Sequence, residues 1–291
     1  MRNYLSLLLV FLLLACQQNS DSLTILYSLP HKLKEVSGIT YSAQTNLIWT
    51  LEDSGNSNTI YGLNSNGTIA KAITIENTEN IDWEDITQDK EGNLYIGDFG
   101  NNDNARKDLC IYKIDKNALS SNSAVPAIKI SFAYPEQLDF PPKKKDLFYD
   151  VEGFFEFKNN FYLFTKNRSK GFDGTAILYK IPNASGFHQA IFMGEFKTCE
   201  DYNFCAITSA SISPDESKIV ILNHDKIWLL ENFEGDNFFN GTKTELALNH
   251  FSQKEAVCFG DNDKLFIADE RNKTEGGNMY NVSLKKLKSK S

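Results

Sequence analysis

Four glutamates, Glu35, Glu84, Glu152 and Glu255, stand at the head of short β-prone runs in an otherwise varied chain. The runs read Glu35-Val-Ser-Gly-Ile, Trp-Glu84-Asp-Ile, Val-Glu152-Gly-Phe and Glu255-Ala-Val-Cys, and Ile-Thr208-Ser-Ala-Ser is a fifth that lacks the acid. Carboxylates brought to one place can ligate a hard cation, since Ca²⁺ and Mg²⁺ take oxygen donors. They can also act as an acid–base pair, or accept backbone amides from a neighbouring segment. Crowded like charges raise one another's pKa unless something neutralises them. A cation, bound water or the nearby Arg106, Lys166, Arg168 and Arg271 can neutralise them; a cation there, with Glu35, Glu84, Glu152 and Glu255 as candidate ligands, would be Ca²⁺ or Mg²⁺ by its oxygen donors. Zinc does not fit: His31, His188, His224 and His250 are scattered and no His/Cys spacing suits it.

The elements that must position these acids form a repeat. Each head is followed, after a polar turn, by a second strand rich in aromatic and β-branched residues: Asn46-Leu-Ile-Trp, Asn93-Leu-Tyr-Ile, Asn160-Phe-Tyr-Leu, Lys218-Ile-Val-Ile and Lys264-Leu-Phe-Ile. Third strands follow near Thr59, Leu109, Ala176, Lys226 and Asn278, and fourth strands near residues 69–75, 127–132, 189–196 and 242–248. The fifth unit runs out of chain before its fourth strand, and Leu23-Thr-Ile-Leu-Tyr27 is left over at the start. Five four-stranded units, the last completed by the first strand, describe an all-β propeller closed by its own N-terminal strand. Six blades is the alternative. Heads at 35, 84, 152, 208 and 255 leave no gap for a sixth. A two-sheet sandwich would not explain the repeat.

In such a blade the start of the innermost strand lies beside the end of the second, its antiparallel neighbour. The four glutamates then ring one end of the central channel. Residues that close or follow the second strands join them: Asp53, Asp98, Lys166, Asn167, Arg168, His224, Asp269, Glu270 and Arg271, with Arg106 in reach. The loops there, such as Asp98-Phe-Gly-Asn-Asn-Asp, are rich in Asp, Asn and Gly but carry no EF-hand spacing.

The N-terminus places the protein in the cell. A positive start, an apolar run over residues 4–14 and Leu13-Leu14-Ala15-Cys16 resemble a bacterial lipoprotein leader. The run is too short to span a bilayer, which takes about 20 apolar residues. Residues 1–15 read as signal peptide, 16–22 as a tether lipidated on Cys16, 23–284 as one propeller domain and 285–291 as a Lys-rich tail. The expected location is the bacterial envelope, on a periplasmic or outer-membrane surface, with the membrane as partner. Loss of Arg2 takes the net charge from −8 to −9, which argues against nucleic acid and for a small polar ligand or another envelope protein. Cys199 and Cys205 flank a short loop that could close as a disulfide outside the cytosol. Cys110 and Cys258 lie in strand patterns as small buried groups.

The heads Val36-Ser37-Gly38-Ile39 and Asp150-Val-Glu152-Gly153-Phe resemble those of SdiA-regulated and NHL-like propellers. More distantly they are similar to gluconolactonase and strictosidine-synthase-like propellers. The lactonase resemblance implies a divalent metal held by Glu, Asn and Asp, here Glu35 with Asn167 and Asp269. Three further glutamates depart from that set. No nucleophile elbow or Ser-His-Asp signature is present, so a binding or scaffold protein is the first expectation. A metal-assisted hydrolase of an ester, lactone or phosphoester is the second, and a glycosidase using two mouth carboxylates the third.

Overall fold

The structure, a computed structural model, describes residues 23–273 and 275–290. The leader, Cys16 and the tether lie outside them. Alternating apolar residues build five blade sheets, each with four antiparallel strands, arranged as a five-bladed propeller. Blade one consists of Val36–Ser42, Leu47–Glu52, Thr59–Leu63 and Ile69–Ile75. Blade two consists of Trp83–Gln88, Leu94–Asp98, Cys110–Ile114 and Ile128–Ala133. Blade three comprises Asp150–Phe157, Asn160–Lys166, Thr175–Pro182 and Ile191–Lys197. Blade four comprises Ser209–Ile212, Lys218–Leu222, Lys226–Glu231 and Thr242–Ala247.

Blade five contains Lys254–Phe259, Lys264–Asp269 and Asn278–Ser283, and the N-terminal strand Thr24–Ser28 supplies its outer edge. Thr24 stands opposite Asn281 and Ser28 opposite Asn278, the pairing read from the sequence. Blades one and two each gain a fifth, parallel strand that the repeat did not reveal: Ser123–Ala124 beside Ile69–Ile75, and Gly186–Gln189 beside Ile128–Ala133. The Lys-rich end is more than a tail. Leu284–Lys288 forms a short helix with Leu284 and Leu287 buried.

Hydrophobic packing lies between blades rather than in one central core. Trp49, Trp83 and Ile96 fill the wedge between blades one and two. Phe99, Phe154 and Phe161 fill the next, and Phe155, Phe164 and Trp228 the one after. Leu33, Ile39, Ala256 and Met279 join blade five to blade one and so close the ring. The innermost strands approach very closely. A Cβ on Gly38 would lie 2.6 Å from Asp85 Cα, and one on Gly153 would lie 2.3 Å from Ala210 N. Side chains bridge the same strands. Ser37 Oγ donates to Trp83 O at 2.9 Å, Phe154 N to Asp85 Oδ2 at 3.1 Å and Val257 N to Ser209 Oγ at 3.2 Å.

Candidate functional site

Three of the four acidic heads, Glu84, Glu152 and Glu255, owe their direction to a β-bulge. The ladder between first and second strands skips one residue in four blades, between Val36 and Gly38, Trp83 and Asp85, Val151 and Gly153, and Lys254 and Ala256. The extra residues are Ser37, Glu84, Glu152 and Glu255. A bulged residue leaves the pleat and is re-aimed; here all four line one cavity at the channel mouth, about 260 Å³ in volume. Blade four pairs Ser209 with Leu222 and Ala210 with Ile221 without a skip, and contributes no side chain to the lining.

The true head of blade one is thus Ser37, two residues beyond the glutamate that sequence alignment selected. Glu35 is exposed, accepts a hydrogen bond from Asn56 Nδ2 at 2.7 Å and does not line the cavity. The four expected cation ligands therefore do not share one point. Two trios of carboxylates converge instead, Asp53 with Asp82 and Glu84, and Glu84 with Asp150 and Glu152. In each trio the ligand oxygens lie within 4.8 Å of one another. Glu84 belongs to both. It is 7% exposed, and no hydrogen bond or ion pair with another described residue reaches its carboxylate. Asp82 Oδ1 is likewise buried without a partner.

Burial, reinforced by Glu152, Asp150, Asp53 and Asp82, holds the Glu84 carboxyl well above its ordinary range. Burial next to Asp53 and Asp150 lifts Asp82 to about 7. Burial also raises Glu152 to about 8, against the pull of Lys166 and Arg168. Glu270 rises to about 8 through burial and the charges of Glu255, Asp53 and Glu35.

The basic groups occupy the other side. Arg168 donates through Nε to Asp150 at 2.6 Å, through Nη2 to Glu152 at 2.7 Å and through Nη1 to Tyr202 Oη at 2.7 Å. Lys166 Nζ lies 3.1 Å from Glu152. Glu255 meets His224 Nε2 at 3.1 Å; although burial pushes its carboxyl up, Lys166 and His224 hold it below the usual range. Gln253, Glu270 and Asn102 complete the lining.

Several expected members have structural duties instead. Asn167 accepts from Ser169 N at 2.8 Å within its own loop. Asp269 accepts from Asn278 N and Tyr280 Oη, each at 2.7 Å. The Glu-Asn-Asp set implied by the lactonase resemblance is therefore not assembled here. Arg271 donates to Leu29 O at 2.9 Å and ties the N-terminal segment to blade five. Asp98 is buried against Arg106 at 2.9 Å, just beneath the mouth. Asp82 and Asp150 escaped the sequence reading, yet each stands two residues before its glutamate, in a repeated Asp-x-Glu.

Residues 25–137, the first two blades with Asp53, Asp82 and Glu84, match the model of the family described as SdiA-regulated. The chain resembles SdiA-regulated proteins. That stretch carries one complete carboxylate trio; Asp150, Glu152 and Arg168 lie beyond it. No curated protein matches the sequence. Among solved structures, the PQQ-bound aldose sugar dehydrogenase of Streptomyces coelicolor is similar with a TM-score of 0.52 and 10% identity, over 90% of this chain and 97% of that one. A gluconolactonase of Xanthomonas campestris has a TM-score of 0.48 and 12% identity, over 90% and 89% of the two chains. At these identities the likeness concerns the propeller fold.

Proposed function

We propose that this propeller is a binding protein of the bacterial envelope whose acidic mouth holds a divalent cation, calcium by preference, together with a small polar ligand. Glu84 carries the reading. A buried carboxylate without a partner is costly, and two neighbouring trios of oxygens offer the hard-donor environment that calcium takes. Protein carboxylates would fill part of the coordination shell, leaving positions for oxygens of the ligand. Convergence of three carboxylates on one point also suits a cation better than the paired geometry of a glycosidase, where carboxyls stand about 5 Å or more apart across the scissile bond. Both ring nitrogens of His224 are engaged, by Asn203 O and Glu255. That favours binding over hydrolysis with His224 as base.

Calorimetric titration of the purified domain with calcium is expected to show saturable binding of one ion per chain. An absence of heat up to millimolar calcium would refute the site. Attachment to the membrane through lipid on Cys16 belongs to the same proposal. Cys16→Ser is expected to move the protein from the membrane to the soluble fraction or to stall its processing; unchanged fractionation and mass would rule the anchor out.

A further inference from the structure

The second trio, Glu84 with Asp150 and Glu152, already has a positive charge against two of its members. Arg168 touches Asp150 and Glu152 directly, Lys166 stands 3.1 Å from Glu152 alone, and both carboxylates are buried, so among the described residues Arg168 is the one cation that bridges the two. A divalent ion entering that trio would have to share both with the guanidinium, so the electrostatic gain of binding there is largely forestalled. Among the described residues, no ion pair reaches the first trio, Asp53 with Asp82 and Glu84. The two halves of the mouth are unequal for this reason.

What keeps Arg168 in place comes from another blade junction. Cys199 and Cys205 are joined in a disulfide that closes the loop between blades three and four. The loop carries the short helix Tyr202–Cys205, capped by Asp201, whose side chain accepts from Asn203 N. Tyr202 Oη accepts from Arg168 Nη1, and its ring meets Phe172 edge-on at 5.3 Å. The same loop holds His224 through Asn203 O at 2.9 Å, and His224 in turn holds Glu255. One covalently closed loop thus orients Arg168 against Asp150 and Glu152, and His224 against Glu255.

We infer that Arg168 is a built-in counter-ion plugging a second cation site made of Glu84, Asp150 and Glu152, and that the Cys199–Cys205 loop latches the plug through Tyr202. The inference rests on the calcium reading of the mouth. With the plug in place the mouth takes one ion, on Asp53, Asp82 and Glu84. With the plug withdrawn Glu84 is shared between two ions.

Calcium titration calorimetry on the parent, Arg168→Gln, Tyr202→Phe and the pair Cys199→Ser with Cys205→Ser tests this. Arg168→Gln is expected to bind two calcium ions per chain where the parent binds one. Tyr202→Phe, which keeps the ring and loses only the hydroxyl, and the cysteine pair are expected to retain the first site and add a weaker second one. Circular dichroism and a cooperative melt establish that each variant is folded. A parent that binds one ion and an Arg168→Gln protein that also binds only one would overturn the plug while leaving the first site intact. If the cysteine pair and Tyr202→Phe both match the parent while Arg168→Gln gains a site, the latch is refuted. A parent that binds no calcium removes the site itself, a different failure.

Discussion

Replacing Glu84 with glutamine is expected to stabilise the calcium-free protein at neutral pH and to abolish its thermal response to calcium. The carboxylate is buried among Asp53, Asp82, Asp150 and Glu152 with no hydrogen-bond or ion-pair partner among the described residues, so in the absence of a cation its ionisation works against the fold. Asp82 at about 7, and Glu152 and Glu270 at about 8, point the same way. Unfolded carboxyls titrate near 4, so across pH ~4–8 the folded chain binds more protons than the unfolded one. Stability contributed by these groups is complete below the unfolded values and is lost as pH rises through the folded ones. Without calcium the melting temperature should therefore fall from mildly acidic to mildly alkaline pH. Calcium opposes that fall by mass action, contributing about 2.7 kcal/mol at a hundredfold excess over its Kd. In a domain of this size that corresponds to a rise of roughly 5 °C or more. Differential scanning calorimetry at pH 5.5 and 8, with calcium and with chelator, reads all four conditions. A parent indifferent to calcium, with a Glu84→Gln variant that melts lower, would show that the carboxylate serves the fold rather than an ion.

Deleting residues 17–29 should have the larger effect on stability. The strand Thr24–Ser28 forms the outer edge of blade five, and its removal leaves Asn278–Ser283 paired on its inner side alone, with its outer edge bare. Leu23 and Leu29, both buried, are lost with it; each contributes about 1.5–3 kcal/mol by its burial. Leu29 N no longer donates to Gly277 O, and Arg271 loses the Leu29 carbonyl. Together with the ladder hydrogen bonds these losses should lower the melting temperature by about 10 °C or more. The bare edge should also make the truncated protein self-associate. Light scattering and a thermal melt check both outcomes. A monodisperse truncated protein melting with the parent would show that the ring does not depend on this closure.

Much of the architecture was legible because it rests on local patterns. Runs such as Leu47–Glu52 and Lys218–Leu222 carry strand propensity in themselves, and their recurrence gave blade number and the closing role of residues 23–27. The site was less legible because it depends on a feature that alternation conceals. A bulge adds one residue without altering the look of the run, so Glu35 could be aligned with Glu84 when Ser37 is its structural equivalent. Asp82 and Asp150 could have been found from the twice-repeated Asp-x-Glu. Gln253 holds the same place two residues before Glu255, but Tyr202 could not have been found: it touches Arg168 from a loop between blades, placed by a contact distant in sequence. Asn167 and Asp269 have suitable chemistry and location, but nearby backbone amides claim their oxygens first.

The direction of the closing strand decides on which face of the propeller the described chain begins. Innermost strands start at the acidic mouth, and each neighbour in blade five runs opposite to the last, so Thr24–Ser28 travels toward the mouth from the opposite face. Its first residues accordingly pack near the helix Leu284–Lys288, in the cluster that joins Leu23 to Leu284 and Leu287. Leu23 itself therefore lies on the face opposite the mouth. If Cys16 carries the proposed lipid, the carboxylate-lined opening is on the face away from the strand end nearest that anchor, open to a dissolved ion.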